Sequence, residues 1–239
     1  MSKLTVLEIK AAGAANAIYP VIASDEKEVI LIDCGYPGFF PLLKNAAKAK
    51  DIDISKLTKI IITHHDYDHM GALAEFKKEL PHIKVLSSID EEQYISGKKQ
   101  SLRLQQSLAL FDTLPKDQKE TAKNYQQTLA TVKNVEIDLC VKDKDSFDWC
   151  GGLEIVATPG HMPGHISIYI KNSKTLVTGD ALIMENGNLA GPNPYYTLDM
   201  ATAKDSIKKL LNYDIERIIC YHGGSCTQNC RESLQKILL

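Results

Sequence analysis

The sequence predicts a mixed architecture in which short β-strands alternate with α-helices. Short runs rich in β-branched residues, such as "EVILIDCG" and "KIIIT", have the length of strands. Segments with apolar residues at helical spacing, such as "GALAEFKKEL", lie between them. With 239 residues, of which 44% are hydrophobic and 24% charged, the chain resembles an ordinary globular protein and can bury a sizeable core.

The predicted elements form three blocks of one domain that spans residues 1–239. The first block contains an antiparallel meander, two helices and two further strands, which are "LTVLEIK", "NAIYPVIAS", "EVILIDCG", "FFPLLKNAAKAK", "KIIIT", "GALAEFKKEL" and "HIKVLSS", with a break at "AAGA". The middle block, about residues 90–134, is rich in Gln and Lys and predicts two helices interrupted at "TLPKDQ". We expect this insertion to cover one face of the core.

The third block returns to strands. It contains the strands "VEIDLCV", "LEIVATPG", "HISIYIK" and "KTLVTGD", the loop "ENGNLAGPNPYYTLD", the helix "MATAKDSIKKLLNY", the strand "RIICYHGG" and the helix "NCRESLQKILL". Several of these strands end in a glycine and a polar residue, so the third block also supplies candidate site residues.

Composition excludes several classes of function. The formal charge of −2, without a basic stripe, predicts no nucleic-acid partner. Apolar runs are far shorter than the ~20 residues needed to cross a bilayer. The N-terminus lacks a secretory pattern, so we expect a cytoplasmic protein with free thiols. Cys226 and Cys230 are separated by three residues, which differs from the two-residue gap of a redox motif.

Histidines and aspartates cluster at four predicted strand ends. The densest cluster is "IITHHDYDHMG", and the others are "TPGHMPGH", "VTGD" and "CYHGG". Polar residues that follow strands gather at the rim of a sheet, where a site can be assembled. Imidazole and carboxylate ligands together suit Zn²⁺, Fe or Mn²⁺. The clusters therefore predict a metal site with enough ligands for two ions.

These segments, together with "LIDCG", resemble the metallo-β-lactamase fold superfamily over nearly the whole chain. The usual first motif there is His-x-His-x-Asp-His, and this chain departs from it because Asp66 stands where the second histidine is expected. The resemblance implies an α+β fold, a four-layer αββα sandwich of two mixed β-sheets flanked by helices.

The resemblance also implies two divalent metal ions, with Zn²⁺ as the first choice and Fe or Mn as alternatives. It assigns seven ligands by position, which are His64, Asp66 and His161 for the first ion, Asp68, His69 and His222 for the second, and Asp180 as a bridge. Asp33 is expected to orient a ligand rather than bind metal. His65 and His165 are expected to lie outside the set of ligands.

Asp66 changes the charge expected at the site. Two divalent ions bring +4, and Asp66, Asp68 and Asp180 bring −3, so a bridging hydroxide would make the site neutral. An additional carboxylate predicts weaker Lewis acidity and a shift toward Mn²⁺ or Fe. Because aspartate is short, a second interpretation is that one ion is held loosely and its site is partly occupied.

Hydrolysis is the chemistry that the resemblance favours. A metal-bridging hydroxide would attack an ester, lactone or thioester carbonyl of a small molecule, with Asp68 as proton acceptor. Tyr195 or Tyr196 would donate a hydrogen bond to the substrate, and Tyr94 and Phe111 of the insertion would be apolar contacts. Alternatives are a phosphodiesterase or nuclease-type hydrolase and a redox or non-catalytic di-metal protein. A homodimer is also compatible with the sequence.

Overall fold

The computed structural model describes residues 2–10 and 16–239, and the first of its two six-stranded sheets comes from strands before residue 142. Its strands, in spatial order, are β1 (Lys3–Val6), β2 (Val21–Ser24), β3 (Val29–Ile32), β4 (Lys59–Ile61), β5 (Lys84–Ser88) and β6 (Leu139–Val141). β1 to β3 pair antiparallel, whereas β3 to β6 pair parallel. The sheet is therefore mixed, as predicted. The predicted break "AAGA" lies outside the described residues.

The second sheet comes from residues 146–226. Its strands, in chain order, are β7 (Ser146–Phe147), β8 (Leu153–Ala157), β9 (Ile166–Ile170), β10 (Thr175–Val177), β13 (Arg217–Cys220) and β14 (Gly224–Cys226). β11 (Ile183–Glu185) and β12 (Asn188–Ala190) form a separate hairpin. β10 and β13 are parallel, and the other pairs are antiparallel, so this sheet is mixed as well.

Eight α-helices are described. They are α1 (Phe40–Lys48), α2 (Tyr67–Met70), α3 (Leu73–Glu79), α4 (Ile89–Ile95), α5 (Leu102–Leu110), α6 (Lys119–Ala130), α7 (Met200–Leu210) and α8 (Cys230–Ile237). Within this described part, no helix is both long and apolar enough to span a membrane. All six cysteines are free, and the sulfur atoms of Cys226 and Cys230 are 3.9 Å apart.

The core divides into three apolar clusters, which define four layers. Alternate residues of β3 point to opposite faces, so Leu31 joins the cluster with α1 and α3, whereas Ile30 and Ile32 join the cluster between the sheets. On the outer face of the second sheet, Leu176 packs in the cluster that contains residues of α7 and α8. The predicted αββα sandwich is thus confirmed, since each sheet buries both faces.

The predicted loop before α7 is wrong in its first part, where the structure has the hairpin of β11 and β12. Asn186 and Gly187 connect the two strands with φ of 49° and 78°. Positive φ at both central residues is the geometry of a type I′ turn, which favours Asn-Gly. The dipeptide "NG" was therefore a hairpin signal, and the flanking polar and glycine-rich composition obscured it.

The middle block contains one more helix than predicted. α5 and α6 correspond to the two predicted helices, and two short 3₁₀ turns fill the interruption at residues 111–118. The additional helix, α4, follows β5 directly and is capped by the Ser88 hydroxyl, which accepts a hydrogen bond from the Glu91 amide. Hereafter the insertion means residues 89–134.

Candidate metal centre

The seven predicted ligands follow the carboxyl ends of four strands. The segment after β4 carries His64 and Asp66, and the first turn of α2 carries Asp68 and His69. His161, Asp180 and His222 follow β8, β10 and β13. These three strands run in one direction, because β8 and β10 are both antiparallel to β9, and β13 is parallel to β10. Their carboxyl ends therefore share one rim, which faces the end of β4.

The structure brings all seven side chains together. Three groups each have ligand atoms within 4.8 Å of one another, namely His64, Asp66 and His161; Asp68, His69 and His222; and His64, His69 and Asp180. We call the first group the first position and the second group the second position. The third group contains one histidine from each position together with Asp180, so Asp180 lies between them.

Distances support this division. In the first position, Asp66 Oδ2 is 3.1 Å from His161 Nε2 and 3.5 Å from His64 Nε2. In the second position, Asp68 Oδ2 is 3.2 Å from His222 Nε2.

Asp180 contacts both positions with its two carboxylate oxygens. Oδ2 lies 3.6 Å from His161 Nε2, while Oδ1 lies 3.2 Å from His69 Nε2 and 3.5 Å from His222 Nε2. Its carboxylate thus has one oxygen toward each position, the arrangement needed for a bridging ligand.

Buried atoms without hydrogen-bond partners indicate that the centre suits a cation. Among the described residues, His64 Nε2, His69 Nε2 and Asp180 Oδ1 are buried and accept or donate no hydrogen bond. Buried polar atoms in proteins are normally paired, and those that are not often belong to a site that binds an ion. Imidazole nitrogen and carboxylate oxygen form the donor set that Zn²⁺ accepts, and Fe and Mn²⁺ accept it too. The residues present therefore fit divalent metal ions.

The pKa values of the side chains at the centre also reflect the carboxylates that surround its histidines. Burial would lower the pKa of His69, but the charges of Asp180, Asp33 and Asp68 hold that pKa well above its usual range. Burial likewise opposes the charge on Asp180, yet the neighbouring histidines, His222 first among them, keep its pKa well below its usual range. The carboxylates thus attract positive charge to this rim.

Scaffold residues orient the second position. Asp33, at the end of β3, has Oδ2 at 2.9 Å from His69 Nδ1, and its Oδ1 accepts a hydrogen bond from the Thr63 amide at 2.8 Å. This contact leaves His69 Nε2 free for the centre, the supporting geometry expected of Asp33. The Tyr221 hydroxyl donates to the Asp68 backbone carbonyl at 2.6 Å, which ties α2 to β13.

The two remaining histidines of the motifs point elsewhere. His65 Nδ1 contacts Glu91, its Nε2 accepts a hydrogen bond from the Leu102 amide at 3.2 Å, and its ring stacks on Tyr94. It therefore anchors the insertion. His165 Nε2 accepts a hydrogen bond from the Asp180 amide at 3.0 Å, so this ring positions the backbone of the bridging residue. Neither belongs to the three ligand groups.

Sequence reasoning missed Arg103, which contacts Asp66. Arg103 Nε lies 3.2 Å from Asp66 Oδ1, and its Nη2 lies 2.7 Å from Oδ2. Burial would raise the pKa of Asp66, but the neighbouring rings of His161 and His64 and the charge of Arg103 keep that pKa well below its usual range. No sequence signal identified Arg103, because it is 37 residues from Asp66 and its helix has no recognisable motif.

Tyrosines around the centre were also missed. Burial, followed by the charge of Asp68, raises the pKa of Tyr67 to about 12. The same two causes, with a contribution from Asp180, raise the pKa of Tyr36 further. Both phenols therefore stay protonated at neutral pH and can donate hydrogen bonds. Tyr67 lies within the first motif, so its position, although not its role, was visible in the sequence.

A cavity of about 520 Å³ lies between α5, α6 and the loop before α7, and none of the seven predicted ligands lines it. Arg103, Tyr195 and Tyr196 line it, and Arg103 separates it from Asp66. Tyr195 is 79% exposed and Tyr196 44%, so both predicted contacts stand at its mouth. Tyr94 and Phe111 are not among its lining residues, since Tyr94 stacks on His65 and Phe111 packs under Lys119.

Comparisons with known proteins agree with this fold. Residues 15–222 match the Metallo-beta-lactamase superfamily. The chain is 29% identical over 241 residues to "Probable metallo-hydrolase YflN" of Bacillus subtilis, covering 93% of this chain and 86% of that protein. It is 26% identical over 208 residues to "Hydroxyacylglutathione hydrolase GloC" of Haemophilus influenzae, covering 87% of this chain and 85% of that one.

A solved structure supports the fold. The metallo-beta-lactamase family protein TTHA1429 from Thermus thermophilus superposes with a TM-score of 0.77 at 20% sequence identity, and the match covers 98% of this chain and 78% of that one. At this identity the likeness shows the fold alone. Because the family match spans most of the chain and includes all four ligand-bearing strand ends, the protein belongs to the metallo-β-lactamase superfamily.

Proposed function

We propose that this protein is a dinuclear metal-dependent hydrolase that cleaves an ester, lactone or thioester of a small, uncharged substrate. The observation that carries the proposal is the convergence of seven His and Asp side chains, of which His64, His69 and Asp180 have buried ligand atoms without hydrogen-bond partners. The metallo-hydrolase relatives support hydrolysis as the reaction class. Zn²⁺ is the first candidate ion, and the extra carboxylate of Asp66 keeps Fe and Mn²⁺ as alternatives.

The chemistry supplied by divalent ions would be activation of water and polarisation of the carbonyl. The residues of the chain would hold the reacting groups and move protons. Asp68 is suited to accept a proton, since its side chain is 14% exposed and can exchange protons with solvent. Its Oδ2 is oriented by His222 at 3.2 Å, so the carboxylate has a defined direction.

Tyrosine hydroxyls would bind the substrate carbonyl. Tyr196 is linked to the centre through Arg103, which donates a hydrogen bond to its backbone carbonyl at 2.8 Å. Tyr67 and Tyr36 are further protonated donors near Asp68. A phenol that donates to the oxygen on which negative charge develops stabilises the transition state more than the ground state.

The lining of the cavity favours an uncharged substrate. Among the described residues that line it, the charged ones are Arg103 and Asp117, and Arg103 is already paired with Asp66. Apolar walls come from residues such as Leu110, Leu114 and Tyr125. A glutathione group carries two carboxylates and would find no free cation among these lining residues. The cavity therefore supports an acyl or aryl substituent more than a glutathione thioester.

A substrate panel tests the proposal. Protein stripped with chelator and reloaded with Zn²⁺, Mn²⁺ or Fe²⁺ would be assayed on p-nitrophenyl butyrate, an aliphatic lactone, S-lactoylglutathione and bis-p-nitrophenyl phosphate. We expect the uncharged ester or lactone to be cleaved fastest. In Asp180→Ala the rate should fall by at least ~1,000-fold, because both positions lose a ligand.

Asp205→Ala is the matched control, because Asp205 is an exposed aspartate on α7 that pairs with Lys208. It should keep the full rate. Equal activity of wild type and Asp180→Ala would contradict the site assignment. Faster cleavage of the phosphodiester than of all carbonyl substrates would instead identify a phosphodiesterase, and metal binding without any hydrolysis would identify a non-catalytic di-metal protein.

A further inference from the structure

Asp66 forms an ion pair with a residue of the insertion. Arg103, on α5, donates from Nε to Oδ1 at 3.2 Å and from Nη2 to Oδ2 at 2.7 Å, so both carboxylate oxygens are engaged. Arg103 is 3% exposed and Asp66 is 6% exposed. Because little water reaches the pair, its charges are only weakly screened.

Other contacts hold Arg103 in this orientation. Its Nη1 donates to Gln106 Oε1 at 2.9 Å, and its Nη2 donates to the Tyr196 carbonyl at 2.8 Å. The guanidinium carbon lies 5.5 Å from the centre of the Tyr196 ring. These bonds occupy most of the guanidinium donors. Arg103 therefore cannot turn away from Asp66 without losing several interactions at once.

The first position and Arg103 use the same oxygen atom. Asp66 Oδ2, which accepts the 2.7 Å bond from Arg103, also faces His161 Nε2 at 3.1 Å and His64 Nε2 at 3.5 Å. A metal ion held by these three side chains would share Asp66 Oδ2 with the guanidinium. Two cations on one buried carboxylate repel each other strongly, because the surroundings screen the repulsion poorly.

The second position has different ionic partners. Asp68 pairs with His222 and His69, and Asp180 pairs with the same two histidines and with His161. An arginine keeps its charge at any ordinary pH, and among the described residues neither Asp68 nor Asp180 has an arginine or lysine as ionic partner. A permanent cation therefore lies beside the first position and not beside the second.

We propose that Arg103 competes with a metal ion for Asp66 and makes the first position the weaker of the two. This inference rests on the proposed function, since it requires that the centre bind metal. The second position fills first, and the insertion sets the metal occupancy of the first position as well as forming one wall of the cavity. Arg103 is a positioning residue and contacts no reacting atom in this scheme.

Calorimetric titration of chelator-stripped protein with Zn²⁺, in the presence of a competing chelator, tests the inference without an activity assay. Wild type should bind two ions at two classes of binding site, one tighter and one weaker. Asp66→Ala should lose the weaker class. Removing the charge in Arg103→Met or Arg103→Gln should tighten the weaker class by at least about tenfold, because the repelling cation is gone.

Two variants separate charge from side-chain shape. Arg103→Lys keeps the positive charge and should leave the weaker affinity within about threefold of wild type. Arg231→Met removes a guanidinium on α8 that bonds the Leu211 carbonyl, and should change neither class. If Arg103→Met does not fold, as judged by circular dichroism, Arg103→Gln provides the measurement.

The outcomes distinguish the two proposals. Unchanged or weaker binding in both uncharged variants would overturn the inference and assign Arg103 the role of orienting Asp66 for metal. Two equally tight classes in wild type would overturn the inference alone and leave the dinuclear proposal standing. A wild-type protein that binds no Zn²⁺, Mn²⁺ or Fe²⁺ would overturn both.

Discussion

The two positions of the candidate metal centre are supported by different parts of the molecule. Asp33 and Tyr221, at the ends of β3 and β13, orient His69 and Asp68 of the second position. Asp66 of the first position is paired with Arg103 of the insertion. The second position is thus built into the sandwich, whereas the first depends on how the insertion packs on it.

One fold can therefore hold two similar sets of ligands, one of which is held more rigidly than the other. The strand ends are held by the core and by sheet hydrogen bonds, so ligands on them have little freedom. Helices α5 and α6 pack mainly on each other and contribute few buried apolar residues to the three core clusters. A ligand that depends on these helices is easier to change, by mutation or by binding, than one fixed to the sheets.

Among the variants that test this difference, Asp66→Asn is expected to have the largest effect, which is on the free energy of unfolding of the metal-free protein. The substitution leaves the guanidinium of Arg103 buried without its counter-ion, which typically costs about 3–5 kcal/mol of unfolding free energy. Urea unfolding of chelator-stripped protein measures it. Asp205→Asn, at an exposed aspartate, should change the unfolding free energy by less than ~0.5 kcal/mol. A loss below about 1 kcal/mol would mean that the ion pair adds little to the first position.

An intermediate effect, on metal affinity, is expected from Asp33→Asn, because the substitution weakens the contact that orients His69. Loss of such a carboxylate partner typically lowers metal affinity roughly 10- to 100-fold. We expect Zn²⁺ titration to show this loss in the tighter class and little change in the weaker one. Asp143→Asn, at a surface aspartate that pairs with Lys209, is the control. Equal losses in both classes would show that the two positions are not supported separately.

The smallest effect is expected from Tyr196→Phe, which removes one hydroxyl at the mouth of the cavity. Loss of a single hydrogen bond to substrate should lower kcat/KM by roughly 3- to 10-fold. Tyr195→Phe should stay within about twofold, because that side chain is 79% exposed. Steady-state kinetics on the best substrate of the panel measures both. A larger loss in Tyr195→Phe would move the substrate contact to that residue.

Much of the candidate site could be predicted because its residues follow strands. Glycine and a polar residue after a β-branched run mark the rim of a sheet, and Asp180 and His222 were identified in this way. The density of His and Asp in "THHDYDH" identified the rest of the first motif. Such signals are local, so they can be read from the sequence without knowledge of how the elements pack.

Local signals failed where a contact joins distant segments. Arg103 sits in a Gln-rich helix whose composition is typical of a solvated face, yet it is buried against Asp66. Tyr36 follows a strand end but belongs to no metal-binding pattern, and its closeness to Asp68 and Asp180 arises from chain packing. The hairpin at Asn186 and Gly187 differs, because its signal was present and was outweighed by the composition around it.

The sequence by itself determined a mixed architecture with His and Asp at four strand ends, because strand-length runs and residues that follow them are set by neighbours in the chain. The resemblance to the metallo-β-lactamase fold superfamily added the sandwich and the seven ligand positions. Only the tertiary structure decided what each ligand contacts. It placed Arg103 on Asp66 and Asp33 on His69, pairs separated by 37 and 36 residues. Long-range pairs of this kind depend on the docking of whole elements, which periodicity and motif spacing do not specify.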